Sequence, residues 1–347
     1  MMQASQSATV RSLLLVAMAA AATFAFADYL IHVTVRPVHL REIEEGVADY
    51  RMSDPQVLVL GSSHARTFEV LGESLAARTG GTQRLVAIPV EFGKLASYQW
   101  VLEHQLLPLM TQVGADGQLV RKNLSRFILV TEWWDSCDSP PSLNLPSRAW
   151  TLSDFAADVR RHGLTDFNRN YLQTRWRRLF GLSALVQDRG HFKIHEYLRS
   201  LAGPKDAQRY DEKVREWQEM LVKGSACIGN AEQMASLRAM LDSLGSRRME
   251  ITLLLFPRKP ATITPNSNEN TLKPFAGMIR AIAAAYHARF VDFTTHSPLG
   301  DEDFMADFDH VTADGNRAFA AWALEGDLRF LLTPAAAAAR ASGPMNR

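Results

Sequence analysis

Five short apolar runs, spread along 347 residues, constrain the fold more than any other feature of this chain. They cover residues 56–60, 84–90, 127–131, 250–256 and 289–293. The first is apolar without interruption from Val57 to Leu60, the pattern of a parallel strand buried on both faces. Segments with helical spacing separate the runs. One covers residues 68–77 and stops at Gly80 and Gly81. In the next, Tyr98, Val101, Leu102, Leu106 and Leu109 recur at three- and four-residue steps. Residues 271–287 and 313–331 read as two more helices. Strands separated by helices cannot pair through tight hairpins, so they line up in parallel through crossovers. The predicted class is therefore α/β, a three-layer fold around a parallel five-stranded sheet.

The rhythm breaks at Asp135. Residues 136–146 hold three prolines and no periodicity, which reads as a loop. From there to about residue 245 the pattern is helical without a convincing strand, and residues 231–244 return to the sheet layer. This gives one domain over residues 37–331 with a helical insertion at about 151–230. A charged, helix-prone lead-in occupies residues 37–54, and residues 332–347 form an Ala-rich tail expected to fray.

Residues 1–36 stand apart from the fold. The stretch 13–27 is uncharged and almost wholly apolar, and Ala25-Phe26-Ala27 has the small-residue spacing of a signal-peptidase site. Counted on through Val35, past Asp28 and His32, the segment reaches membrane-spanning length. Signal peptide and N-terminal membrane anchor both remain open, and both export the rest of the chain. Cys137 and Cys227 fit an exported protein as a disulfide or as two buried thiols. A formal net charge of +1 leaves no global field to attract nucleic acid. The basic runs Arg160-Arg161 and Arg175 to Arg178 read as solvated helix faces.

In open α/β sheets, ligands bind beyond the carboxyl ends of the strands. Segments starting at Gly61, Glu91, Thr131 and Phe256 arrive there, and Asp307 to His310 follow the fifth strand. Gly61-Ser62-Ser63 can deliver a serine on a strand-to-helix turn, and Asp307-Phe308-Asp309-His310 can supply a base with its orienter. Taken singly, the first is also a plain turn with a serine helix cap, and the second a capping sequence. Their order along the chain favours the chemical reading.

The pair resembles the SGNH/GDSL hydrolase superfamily. Its first block, Gly-Asp-Ser after the first strand, corresponds to Gly61-Ser62-Ser63. Its last block, Asp-x-x-His before the final helix, corresponds to Asp307 and His310. The Gly-Ser-Ser variant is similar to exported bacterial members that O-acetylate alginate or take part in D-alanylation of teichoic acids, many of them membrane-tethered. The resemblance covers about residues 55–135 and 231–331 and implies an SGNH/flavodoxin-like sheet. It further implies Ser63 as nucleophile, His310 as base and Asp307 as orienter, with backbone N–H groups of Ser63 and Gly93 in an oxyanion hole. The family's third block, Gly-x-Asn-Asp, is not recognisable, since Thr131-Glu132-Trp133-Trp134 stands in its place.

Activity on acyl esters, acetyl above all, of a cell-envelope or extracellular polysaccharide is what this implies. Such chemistry needs no cofactor or metal. Transfer would need a membrane partner to supply the acyl group, and the setting would be the periplasmic side of the envelope. A non-catalytic scaffold of a polysaccharide-assembly complex is the alternative. His64 is a rival base, and Asp309 a rival orienter. Glu132 and Asp135, with Trp133, Trp134 and His64, are candidate substrate contacts, although an aromatic packing corner is the plainer reading of the tryptophans. His191 and His195 have helical metal spacing, but no third ligand accompanies them.

Overall fold

A computed structural model describes residues 12–27, 38–91, 93–113, 123–137, 150, 152–165, 168–172, 207–247 and 249–335. Strands β1 (Val57–Gly61), β2 (Leu85–Pro89), β3 (Arg126–Thr131), β4 (Glu250–Leu255) and β5 (Arg289–Asp292) form one sheet in the order β2-β1-β3-β4-β5. Every pairing is parallel. This is a doubly wound order, whose direction of winding reverses between β1 and β3.

The two-residue period of the strands assigns side chains to the two outer layers. Leu58, Leu60, Val86, Ile88, Phe127, Leu129, Leu253 and Leu255 share one core with Ile43, Val47 and Tyr50. Those three come from helix α1 (Val38–Ser53). The same face packs α3 (Leu95–Val101), α6 (Ala231–Gly245) and α7 (Lys273–Ala285). Val57, Val59, Ile128, Val130, Leu254 and Val291 face the other way, toward α2 (Thr67–Arg78) and α8 (Ala313–Glu325). Phe319 of α8 meets Phe293 edge-on at 5.3 Å and Phe68 at 6.1 Å, joining the last helix to the first crossover.

The predicted helix through Tyr98 and Leu109 continues from α3 as a π-helical turn, Leu102–Leu106, into Leu107–Met110. The closing helix ends at Glu325 rather than Leu331. Its apolar period persists because the short 3-10 segment Arg329–Leu332 buries Leu331 on the same face. The described part of the expected insertion is helical at α4 (Leu152–His162), at residues 168–172 and at α5 (Ala207–Gly224). Arg175 to Arg178, His191 and His195 lie outside the described residues.

Cys137 and Cys227 form a disulfide that ties the segment after β3 to the turn after α5. Closing a loop of 90 residues is worth roughly 2–4 kcal/mol, so the bond anchors the insertion beside the sheet edge. At the N-terminus, residues 12–27 are helical and expose Leu13, Leu14, Leu15 and Val16. Among the described residues no helix is long and apolar enough to cross a membrane.

Candidate active site

Gly61 ends β1 where the backbone of β3 comes closest. A side-chain carbon there would lie 2.6 Å from the Val130 carbonyl oxygen, so only glycine fits without moving the sheet. The chain then turns at once into a 3-10 helix, Ser63–Arg66, capped by Ser62, whose hydroxyl accepts from the His64 N–H. This tight exit sets Ser63 at the carboxyl edge of the sheet, next to the reversal between β1 and β3.

The base arrives from the opposite end of the chain. Residues 303–312 fold back on themselves: Thr312 N–H donates to the Asp303 carbonyl at 2.7 Å and Met305 N–H to that of His310 at 2.7 Å. At the tip, Phe308 adopts φ of 69°, a left-handed conformation that costs a non-glycine residue of order 1–3 kcal/mol. Its buried ring offsets that cost. Asp307 Oδ1 accepts from the backbone N–H groups of Asp309 and His310, at 3.1 and 3.0 Å. Its Oδ2 lies 3.0 Å from His310 Nδ1, and His310 Nε2 lies 2.7 Å from Ser63 Oγ. With Nδ1–H donating to the carboxylate, Nε2 accepts the serine proton. Burial acts to raise the Asp307 carboxyl, but the His310 ring and these two N–H groups hold it below the ordinary range. The arrangement can remove a proton from Ser63 and stabilise the imidazolium that results. Among the described residues no acceptor is found for the Ser63 backbone N–H, which leaves it able to meet an oxyanion.

Neither a family model nor a curated protein matches this chain. Its chemistry is therefore read from these residues and their surroundings.

Two expectations need correction. Gly93 N–H donates to the Val90 carbonyl at 2.7 Å, so it closes a turn instead of pointing at an oxyanion. The position still demands glycine, because a side-chain carbon would sit 2.4 Å from the Tyr98 ring. Four of the five expected substrate contacts, His64, Glu132, Trp133 and Asp135, are buried in the protein interior. Trp133 packs edge-on against Trp134 at 5.4 Å and leaves no room for a side chain at Gly224. Trp134, half-buried, takes the Lys94 ammonium over its ring at 3.8 Å.

The buried polar residues form a charged layer beneath the Ser63–His310 contact. Arg258 Nη1 donates to Glu132 Oε2 at 2.6 Å and to Asp309 Oδ1 at 2.7 Å. His64 lies 3.4 Å from each of the same two carboxylates. His64, Glu132 and Asp309 are the one grouping of metal-site dimensions among the described residues. The Arg258 guanidinium already bridges its carboxylates, so the donor set does not fit a metal ion. Two carboxylates and two cations balance there. Asp309 thereby binds His64 and Arg258, and Asp307 alone orients His310. Asp135 is fully buried, and burial followed by the Glu132 carboxylate pushes its carboxyl up to about 7.

Sequence reasoning placed Arg258 at the sheet edge without giving it a role. It also left helix α5 out of the site. Lys213 of α5 donates to the Ala306 carbonyl at 2.9 Å, and Trp217 lies 5.2 Å from the Arg258 guanidinium. The insertion thus packs against the loop that carries His310.

A pH dependence follows from His64. Burial disfavours its charged form, yet Asp309 and Glu132 outweigh burial and push it up from 6.5 to about 9. A folded-state value above the unfolded one stabilises the fold fully below about pH 6.5, and that contribution disappears as pH rises through 9. The shift corresponds to about 3 kcal/mol. Urea midpoints of the wild type are expected to fall between pH 7 and about 9.5 more steeply than those of His64→Gln. Parallel slopes for the two proteins would reject the assignment.

Proposed function

We propose that this chain is an exported serine esterase or O-acyltransferase of SGNH type. Its substrates are acyl esters, acetyl above all, of a cell-envelope or extracellular polysaccharide. The observation that carries the reading is the unbroken line from Ser63 Oγ through His310 to Asp307, at 2.7 and 3.0 Å. It joins residues 247 positions apart at the sheet edge where α/β proteins bind ligands.

His310 Nε2 takes the Ser63 proton as Oγ attacks the ester carbonyl. The negative oxygen of the tetrahedral intermediate meets the Ser63 N–H. On collapse, His310 returns the proton to the departing sugar hydroxyl and leaves acyl-Ser63. Water, or a second hydroxyl, then takes the acyl group by the same steps in reverse. Asp307 holds the ring in the tautomer that both halves require. Export is supported by the Cys137–Cys227 disulfide, a bond that persists in oxidising compartments. The polysaccharide, the membrane tether at residues 1–36 and a membrane partner supplying acyl groups rest on the resemblance to exported SGNH proteins.

One observation favours the scaffold alternative. Thr131-Glu132-Trp133-Trp134 stands in place of the superfamily's third block and offers no asparagine for the oxyanion hole. Loss of one such donor costs about 10²–10³ in rate. The full-length protein should therefore be given an aryl acetate with and without a polysaccharide acceptor. A burst of aryl alcohol equal to the protein present, followed by slow turnover, is expected. Acetate released to water indicates hydrolysis, and acetate on the acceptor indicates transfer. A folded protein that liberates no aryl alcohol above buffer would reject acyl chemistry and leave the scaffold reading.

A further inference from the structure

Behind the line Ser63–His310–Asp307 runs a second string made from the chain neighbours of its reacting residues. Ser62 Oγ lies 3.1 Å from His64 Nδ1, and His64 Nε2 lies 3.1 Å from the carbonyl oxygen of Asp309. Ser62 precedes Ser63, and Asp309 precedes His310. The His64 ring therefore spans from the turn that carries the nucleophile to the loop that carries the base. Among the described residues, 62–66 meet 307–310 through this bond, the ion pair of His64 Nε2 with the Asp309 carboxylate at 3.4 Å, and the reactive contact itself.

The ring is held on every side. It stacks on Phe256 at 4.3 Å with planes 13° apart, and Glu132 Oε1 approaches Nδ1 to 3.4 Å. Asp309 Oδ1 lies 3.4 Å from Nε2, and Arg258 bridges the two carboxylates. The His310 ring centre is 5.5 Å away. A carbonyl oxygen only accepts, so Nε2 must carry hydrogen. Nδ1 faces a hydroxyl and a carboxylate, so a hydrogen is favoured there as well. With acceptors at both ends, the ring suits the doubly protonated form, and it makes no contact that would deprotonate Ser63.

We propose that His64 is a positioning residue: as an imidazolium it ties the Ser63 turn to the 307–310 loop and fixes the distance over which the serine proton moves. The inference rests on the serine reading above. Displacement of a base by about 1 Å costs on the order of 10²-fold in rate, so a tie at this point has kinetic weight.

The test uses the full chain, a fluorophosphonate that reacts with activated serines, and the variants His64→Phe and His64→Gln. His64→Phe keeps a flat ring on Phe256 and loses both hydrogen bonds. The maximal labelling rate is expected to fall about 10²-fold, with the half-saturating probe concentration within about twofold of wild type. His64→Gln retains a donor for the Asp309 carbonyl and should recover roughly tenfold of that loss. Thermal melting accompanies each rate. Nitrogen-15 spectra of the wild-type histidines near pH 7.5 should show a ring with both nitrogens protonated, absent from His64→Gln. Wild-type labelling rates in a folded His64→Phe, or a neutral His64 ring, would overturn the proposal. Should His64→Phe not fold, His64→Gln and the ring spectrum decide. A wild-type protein that takes no label fails the serine reading itself, while the ring spectrum still decides whether His64 is an imidazolium tie.

Discussion

Ser63→Ala is expected to lower turnover of an activated ester at least 10³–10⁴-fold while leaving the melting temperature within a few degrees of wild type. The size follows from the geometry. Ser63 Oγ contacts His310 Nε2, and the alanine variant removes the one atom the line of proton transfer ends on. Stability should barely change, because the side chain caps no helix and fills no core. Ser62→Ala provides the contrast. That hydroxyl caps the turn and meets His64, so its loss costs about 1 kcal/mol of stability and a smaller fraction of turnover. Steady-state ester hydrolysis paired with thermal melting separates the two. Retention of more than a tenth of wild-type turnover in Ser63→Ala would remove Ser63 from the chemistry.

Arg258→Met is expected to destabilise the fold by about 3–5 kcal/mol, the largest effect on stability of any single change at the site. Arg258 is buried, and the same nitrogen neutralises Glu132 and Asp309 at 2.6 and 2.7 Å. Without it those carboxylates share only His64. The remedy is to remove charge from the other side as well. Glu132→Gln in the Arg258→Met background should restore a substantial part of the loss, since an unpaired charge costs more to bury than an amide. Urea unfolding of the wild type, both single variants and the double variant measures this coupling. A loss below about 1 kcal/mol for Arg258→Met, or strict additivity, would show the layer to be solvated and not balanced as described.

The strands were legible in the sequence because each is a short apolar run, and their parallel pairing because helices separate them; the order β2-β1-β3-β4-β5 did not follow from the pattern of runs. Ser63, Asp307 and His310 were legible for a different reason. Each lies within a few residues of an element boundary, where a strand exit or helix entry fixes the direction of the side chain. Arg258, Glu132 and Asp309 lie as close to element ends, but they fit no nucleophile, base and orienter pattern that would have singled out their pairing. Their pairing joins two strand exits and the 303–312 loop across 126 and 51 positions, and an arginine after a strand is ordinarily solvated. Gly93 was expected to offer its N–H to an oxyanion and instead closes a turn onto Val90, because the orientation of an N–H within a turn depends on backbone angles that composition does not encode. Trp133 and Trp134 showed an aromatic corner but not which ring would be interior. That depended on Gly224, ninety-odd residues downstream and brought close beside the Cys137–Cys227 bond.

Every step of the proposed chemistry requires Ser63 to be an activated nucleophile. Its most direct measurement is mass spectrometry of the full-length protein after brief exposure to a fluorophosphonate, with the adduct mapped by peptide. One adduct per chain on Ser63, lost on prior unfolding and strongly slowed in His310→Ala, is the expected result. A folded protein that stays unmodified, or carries its adduct on Ser62, would contradict it.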